Sequence, residues 1–155
     1  FLNNPSLPVS SANRANTTEK LISIENVIGT QGDNFIFGDG KNNILDGRTG
    51  DDTLTGRAGN DTFIFGKGHD RDIIAEFNVA GSDRVDVRGT DFNSITKFKA
   101  LAGSGGNSNL IDLGDKGSGI VVSASGKALV MDFGDGDILT FANLTSLDAD
   151  DFIFV

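Results

Sequence analysis

The stretch GRTGDDTLTGRAGNDTF, residues Gly47–Phe63, repeats itself after nine residues, so that Gly47 returns as Gly56 and Asp52 returns as Asp61. A flexible glycine-rich linker has no reason to place a large apolar residue at every ninth position. A fixed short period instead predicts a solenoid, in which each repeat buries one side chain against its neighbours. The period extends beyond this stretch, since four nonapeptides without gaps occupy residues 29–64: GTQGDNFIF, GDGKNNILD, GRTGDDTLT and GRAGNDTFI.

Three positions of the nonapeptide keep their residue type in all four copies. Position 1 is glycine, position 6 carries an amide or a carboxylate, and position 8 is large and apolar. Position 4 is glycine in three copies, with Lys41 as the exception. Position 6 is filled by Asn34, Asn43, Asp52 and Asp61, and position 8 by Ile36, Leu45, Leu54 and Phe63.

The spacing predicts how the repeats stack. Six residues of glycine-rich turn let the backbone reverse, and the remaining three form a short strand whose middle residue points inward. Two nonapeptides then make one flattened coil, and successive coils lie about 4.8 Å apart, the usual distance between paired strands. We therefore expect Asn34 to stack with Asp52, and Asn43 with Asp61.

The oxygen atoms gathered at these turns indicate calcium. Side-chain oxygens of position 6, beside the exposed carbonyls of the turns, form a set of hard oxygen ligands between coils. Calcium takes six to eight oxygens with irregular geometry, whereas magnesium demands a tighter octahedron and zinc prefers His or Cys. Since stacked carboxylates repel one another without a cation, we expect several calcium ions to be needed for the coil to form.

The nonapeptides resemble the RTX, or haemolysin-type, calcium-binding repeat family, whose motif is G-G-x-G-x-D-x-U-x. The copies GRTGDDTLT and GRAGNDTFI match this motif except at position 2, where Arg48 and Arg57 replace glycine. The lead-in ISIENVIGT and the exit DTFIFGKGHDRDIIAEF are similar to the usual flanks of such repeats. The resemblance implies a parallel β-roll.

The resemblance also implies a set of calcium ligands. One coil donates the carbonyls of positions 2 and 4 with its position 6 side chain, and the next coil donates the carbonyls of positions 1 and 3 with its own. Asn34 and Asn43 are neutral and Lys41 adds a cation, so the sites of the first coil are expected to be weaker. The first site comprises Thr30, Gly32, Asn34, Gly47, Thr49 and Asp52, and the second comprises Asp39, Lys41, Asn43, Gly56, Ala58 and Asp61. Further sites start from Arg48, Gly50 and Asp52 and from Arg57, Gly59 and Asp61, completed by the segment that holds Asp70 and Asp72.

The rest of the chain lacks the nine-residue period. Residues 1–20 are polar and predict a linker or flexible lead-in, and the roll is assigned to residues 21–82. From residue 83 the stretches DRVDVRG, NSNLIDLG, SGIVVSASGKALVMDF and DGDILTF alternate with period two and predict antiparallel strands. Hairpin turns are expected at Ser123–Lys127 and in FGDGD. The predicted fold is thus an all-β parallel β-roll, capped over residues 83–155 by an antiparallel β region.

Composition narrows the classes of partner. Thirteen Lys and Arg against 22 Asp and Glu give a net charge of −9, which argues against nucleic acid or an anionic membrane surface. There is no cysteine, and no apolar run is long enough to span a membrane. Nor does the chain show a basic segment leading into an apolar one, as a classical secretory signal would.

No constellation of catalytic residues stands out. The single histidine, His69, lies in the glycine- and aspartate-rich segment GKGHDRD, where a solvated or supporting role is expected rather than that of a base. There is no G-x-S-x-G motif, no second histidine for a zinc site, and no phosphate-binding loop. We expect a non-catalytic module.

The C-terminus completes the functional interpretation. The acidic residue and following hydrophobes of DFIFV, residues Asp151–Val155, resemble the uncleaved tail of RTX proteins exported by type I secretion. We expect a calcium-binding module of a larger secreted bacterial protein, such as a protease, lipase, epimerase or adhesin, that folds outside the cell and works with the type I secretion machinery. The alternative is a calcium-dependent module whose C-terminal β region binds a polysaccharide or another surface partner.

Overall fold

Strands and turns make up almost all of the structure. The computed structural model describes residues 25–91, 121–125, 128–144, 147 and 149–154. Within these ranges there is no α-helix, and one 3-10 turn at Ala149–Asp151 precedes the last strand. The strands are β1 (Asn26–Ile28), β2 (Phe35–Phe37), β3 (Ile44–Asp46), β4 (Thr53–Thr55), β5 (Thr62–Gly66), β6 (Arg71–Glu76), β7 (Arg84–Gly89), β8 (Val121–Ser125), β9 (Ala128–Gly134), β10 (Asp137–Phe141) and β11 (Phe152–Ile153).

Two sheets face each other across the core. Their strand orders are β1-β3-β5-β7-β11 and β2-β4-β6-β10-β9-β8, so successive strands of the chain alternate between the sheets from β1 to β7. Each repeat strand pairs in parallel with the strand one coil later, as Val27 does with Leu45 and Ile36 with Leu54. This arrangement confirms the parallel β-roll, which makes about three coils.

The position 8 side chains build the core in two stacks, one for each sheet. All of them are buried, with Leu45 at 0% and Leu54 and Phe63 at 1% exposure. Both stacks continue past the four repeats, since strand pairing places Val85 over Phe63 and Ile74 over Leu54. One stack is Val27, Leu45, Phe63, Val85 and Phe152, and the other is Ile36, Leu54, Ile74 and Phe141.

The strand after residue 83 differs from its prediction. β7 was expected to be antiparallel, but it pairs in parallel with β5 and with β11. β10 is parallel to β6 on one side and antiparallel to β9 on the other. Period-two alternation reports that one face is buried but not the direction of the neighbouring strand, so the alternation could not distinguish continued coiling from a hairpin.

The antiparallel part is confined to β8, β9 and β10. The turn between β9 and β10 is present where FGDGD predicts it, with positive φ at Gly134, Asp135 and Gly136. β8 and β9 pair from Val121 to Ser125, so the expected hairpin pairing is present, but Ser123 to Ser125 lie in β8 rather than in the turn. Residues 126 and 127 lie outside the described ranges. The predicted strand NSNLIDLG and the lead-in 1–20 also lie outside them. No helix in the described part of the chain is long and apolar enough to cross a membrane.

Candidate metal centre

The turns of the roll stack in two columns, one on each edge. The Asp52 column contains residues 29–34, 47–52 and 67–72, and the Asp61 column contains residues 38–43, 56–61 and 78–83. Coils built from the nonapeptides are 18 residues apart, but the last turns lie 20 and 22 residues after the turns beneath them. Asp72 and Asp83 stack over position 6 residues, so we number residues 67–72 and 78–83 as positions 1 to 6 of their turns.

A ladder of position 6 side chains runs through each column. In the Asp52 column, Oδ1 of Asp52 accepts the N–H of Asn34 at 2.7 Å, and Oδ1 of Asp72 accepts the N–H of Asp52 at 3.1 Å. The predicted stacking of Asn34 with Asp52 is therefore present. The Asp61 column repeats the pattern, with Asn43 donating to Asp61 at 2.8 Å and Asp61 donating to Asp83 at 2.9 Å.

Three of these carboxylates each keep one oxygen without a hydrogen bond, and at Asp72 that oxygen lies 3.8 Å from Nδ1 of His69. Asp52, Asp61 and Asp72 are each 1% exposed, and their Oδ2 atoms are buried with no hydrogen bond. A buried polar atom without a partner costs on the order of 1–3 kcal/mol, and an ionised one costs more. The three oxygens therefore require a cation or a proton.

The pKa values of these carboxyls are raised, so burial disfavours their charged form unless a cation is present. Burial raises the pKa of Asp52 to about 8, and repulsion from Asp72 and Asp33 adds to the effect of burial. The N–H of Asn34 lowers the pKa of Asp52 but does not offset its burial. Burial also raises the pKa of Asp61 and of Asp72.

The glycines at position 1 explain how oxygen atoms from two coils come together. A Cβ on Gly29 would collide with Oδ1 of Asn34, and it would lie 2.5 Å from the carbonyl oxygen of Gly47 in the next coil. A Cβ on Gly38 would likewise meet Oδ1 of Asn43 and the carbonyl oxygen of Gly56, the latter at 2.7 Å. The space that a side chain would fill is thus lined by oxygens from both coils.

Positions 2 and 4 of the second coil have a left-handed backbone. Gly50 and Gly59 have φ of 117° and 121°, and Arg48 and Arg57 have φ of 71° and 73°. The two arginines thus adopt the conformation for which the motif has glycine. Gly50 also packs so closely on the turn below that a Cβ would lie 2.7 Å from the carbonyl carbon of Gly32.

Position 5 side chains point outward and connect the turns on their solvent side. Asp33 accepts the N–H of Asp51 in the next coil at 3.0 Å, and Asn42 accepts that of Asn60 at 2.8 Å. Asp33 and Asp51 are exposed, as the repeat predicts. Their hydrogen bonds give them a structural role that the sequence did not indicate.

The structure brings most of the predicted ligand residues together in pairs of facing turns. The residues proposed for the first two sites lie in the lower and middle turns of the two columns. Asp70 and Asp72 lie above Gly50 and Asp52, where Oδ2 of Asp70 accepts the N–H of Gly50 at 3.1 Å. The same segment does not lie above Asp61, which was expected to share it, because the turn following β6 covers that edge and places Asp83 there.

Asp83 and Asp137 are the residues that sequence reasoning missed. Asp83 directly precedes a strand, as position 6 does in the four nonapeptides, so the signal was present but displaced by four residues from the period. Asp137 accepts the N–H groups of Gly68 and Asp70, at 2.9 and 3.1 Å, from 67 or more residues away in the chain. Residues so far apart in sequence form no local sequence pattern from which this contact could be predicted.

His69 lies at position 3 of the top turn of the Asp52 column. Its Nδ1 is 3.8 Å from Oδ2 of Asp72, longer than a hydrogen bond, and its ring packs edge-on against Phe65. Over the described residues, no group of three or more His, Cys, Asp or Glu side chains could hold a metal ion. A metal between the coils must therefore take most of its ligands from backbone carbonyls, as calcium does readily.

Comparison with known families agrees with this geometry. Residues 23–40 and 37–72 match the RTX calcium-binding nonapeptide repeat, in four copies. The matched part of the chain is therefore an array of RTX repeats, which confirms the resemblance drawn from the sequence, and repeats of this family are typical of secreted bacterial proteins. No curated protein matches the chain.

Proposed function

We propose that this chain is a calcium-binding, non-catalytic β-roll module that folds when it meets calcium outside the cell. The observation that carries the proposal is that Asp52, Asp61 and Asp72 are each 1% exposed and that their Oδ2 atoms accept no hydrogen bond. Calcium supplies the positive charge that these carboxylates need, and it accepts the irregular mixture of carbonyl and side-chain oxygens around them.

The proposed ligands follow the facing turns. The first site takes carbonyls of Thr30, Gly32, Gly47 and Thr49 with the side chains of Asn34 and Asp52. The second takes carbonyls of Asp39, Lys41, Gly56 and Ala58 with the side chains of Asn43 and Asp61. The third starts from Arg48, Gly50 and Asp52 and is completed by the turn that ends at Asp72.

Calcium-dependent folding is tested by far-ultraviolet circular dichroism of the full chain. Extracellular calcium modules bind with Kd on the order of 10⁻⁴ to 10⁻³ M, so the chain should lack β structure in excess EGTA and gain it at millimolar calcium. The same concentration of magnesium is the control and should produce little change. A complete β spectrum in EGTA would refute the proposal.

A role in type I secretion is the second part of the proposal. The motivation is the acidic-then-apolar tail Asp151–Val155 in a chain that carries RTX repeats. Phe152 is also a core residue, because it is 6% exposed and β11 pairs with β7. Loss of export on deletion of the tail therefore has to be separated from loss of stability.

The separation uses two variants in a bacterium that has a type I exporter. Deletion of residues 151–155 should abolish export, whereas Phe63→Ala, a core substitution outside the tail, should be exported and then fold less stably, by roughly 3–5 kcal/mol. Undiminished export of the deleted chain would show that the tail is not the signal.

A further inference from the structure

The six turns of the two columns fall into two kinds, distinguished by the position 6 side chain. In three turns, which we call the open turns, Oδ2 of the position 6 carboxylate accepts no hydrogen bond: 47–52, 56–61 and 67–72. In the others, the closed turns, a side-chain oxygen of position 6 accepts an N–H from its own turn. Those bonds are Thr30 to Asn34 at 2.7 Å, Asp39 to Asn43 at 2.8 Å, and Asn78 to Asp83 at 2.8 Å.

The backbone separates the same two groups. Each open turn has positive φ at both position 2 and position 4: Arg48 and Gly50, Arg57 and Gly59, and Gly68 and Asp70. No closed turn has positive φ at either position, and Asn78 has it at position 1 instead. In the 47–52 turn the N–H of Arg48 donates to Oδ1 of Asp46, and so is directed away from Asp52. In the open turns, the position 6 carboxylate thus accepts no backbone N–H from its own turn.

The turn 67–72 belongs to the open kind although its sequence, KGHDRD, departs from the repeat. Position 1 is Lys67 and position 4 is Asp70, yet Gly68 and Asp70 have φ of 78° and 60°. Asp72 stands over Asp52 and is equally buried. The backbone of an RTX turn is therefore reproduced here by residues that do not fit the motif.

The turn 78–83 is closed by direct backbone contact with the turn below. Both oxygens of Asp83 are used, one by the N–H of Asp61 and the other by that of Asn78. The carbonyl of Ala80, at position 3, accepts the N–H of Gly59 at 3.2 Å, and Ala80 forms a β-bridge with Ala58. Gly81 lies against the carbonyl oxygen of Gly59 with no room for a Cβ.

In the ligand scheme that the RTX resemblance implies, a metal beneath a turn uses the position 3 carbonyl of that turn. In the described part of the chain, no backbone hydrogen bond engages the position 3 carbonyls of the open turns, Thr49, Ala58 and His69. These oxygens remain available to a cation between their turn and the one below. The corresponding oxygen of the 78–83 turn is already engaged.

We propose that the roll binds three calcium ions, one beneath each open turn, and that the 78–83 turn closes the Asp61 column without metal. This inference rests on the proposed calcium-binding function and on the three sites given there, and it adds that no fourth ion lies beneath the 78–83 turn. Asp83 then acts as a carboxylate cap for backbone N–H groups, and the two edges of the roll hold different numbers of ions, two in the Asp52 column and one in the Asp61 column.

The test counts calcium bound to the full chain by equilibrium dialysis at saturating calcium, with folding followed by circular dichroism. The wild type should bind three ions, Asp72→Asn should lose one, and Asp83→Asn should still bind three. Both substitutions remove one carboxylate charge from the third coil, so they are matched.

The outcomes test the calcium-binding function and the number of ions separately. No bound calcium in the wild type refutes the proposed function itself. Calcium-dependent folding with a count other than three, an ion lost in Asp83→Asn, or none lost in Asp72→Asn overturns the inference and leaves the function standing. If Asp83→Asn fails to fold because Asn78 loses its acceptor, the wild-type count and Asp72→Asn still decide.

Discussion

The first coil, residues 29–46, and the second coil, residues 47–64, share a backbone path and differ in chemistry. Both place a short strand after each turn and a buried apolar residue at position 8. The first coil has amides at position 6, and both of its turns are closed. The second has carboxylates, left-handed residues at positions 2 and 4, and open turns. The period therefore determines the path of the chain, while position 6 and the handedness of the turn determine its need for a cation.

Replacing a carboxylate of the second coil should have the largest effect. Asp52 faces the first site and starts the third, and it supplies the only position 6 charge of the first. Since groups that merely support a ligand contribute 10–100-fold to metal affinity, we expect Asp52→Ala to raise the calcium midpoint of folding by roughly 100-fold over two sites. Isothermal titration with calcium measures this shift.

The controls for Asp52→Ala are Asp33→Ala and Asp51→Ala at position 5. Each loses one hydrogen bond to the next turn, worth about 1 kcal/mol, and should shift the midpoint by no more than about fivefold. Equal midpoints for all three variants would mean that the assignment of position 6 as the ligand is wrong.

The left-handed turns give the next largest effect. Gly50 and Gly32 both occupy position 4, but Gly50 has φ of 117° and packs on Gly32, whereas a Cβ on Gly32 meets nothing within 4 Å. We expect Gly50→Ala to destabilise the calcium-loaded protein by about 2 kcal/mol and Gly32→Ala by less than about 0.5 kcal/mol. Urea unfolding at saturating calcium compares them, and similar losses would contradict the difference between the coils.

Giving the first coil the chemistry of the second should have a smaller effect. Asn34→Asp adds a charge beside the first site at the cost of the bond from Nδ2 to Oγ1 of Thr30, which is 3.0 Å long. We expect calcium affinity to rise by about tenfold, equivalent to about 1.4 kcal/mol. Asn42→Asp adds the same charge on the exposed side and should leave affinity nearly unchanged in the same titration. An equal gain in both variants would indicate a general charge effect.

The smallest expected effect concerns the two arginines at position 2. In Arg48→Gly, relief of about 1–2 kcal/mol of left-handed strain exceeds the added chain entropy of glycine, about 0.5–1 kcal/mol. Arg57 also donates to the carbonyl of Gly38 at 3.0 Å and lies 5.6 Å from the ring centre of Phe37. We therefore expect Arg48→Gly to stabilise by about 0.5 kcal/mol and Arg57→Gly to destabilise, as measured by urea unfolding. The same sign in both would show that the contacts of Arg57 contribute nothing.

The sequence allowed the first two coils to be predicted because their information is local. Glycine at position 1 is required by the fold of its own turn, and the apolar residue at position 8 by the core directly behind it. The stacking of Asn34 with Asp52 then follows from a period of nine.

The third coil could not be predicted in the same way. Two insertions of two residues each place Asp72 two residues, and Asp83 four residues, off the period. The side chains of the 67–72 turn do not reveal its left-handed backbone, because Asp70 occupies a position where the motif has glycine. The contact of Asp137 with Gly68 joins residues 69 positions apart, so the local sequence pattern does not predict it.

The separation between Asp70 and Asp137 has a consequence for the order in which the molecule forms. Coils of the repeats join residues 18 apart, but β10 meets β6 across a separation of 67. Closing that longer loop costs about 1 kcal/mol more chain entropy, and contacts distant in sequence form slowly. Refolding after calcium addition should thus show a fast phase for the coils and a slower one for docking of the C-terminal strands. Between the two phases, β6 and β7 present free edges to other chains, so aggregation should be greatest during that interval.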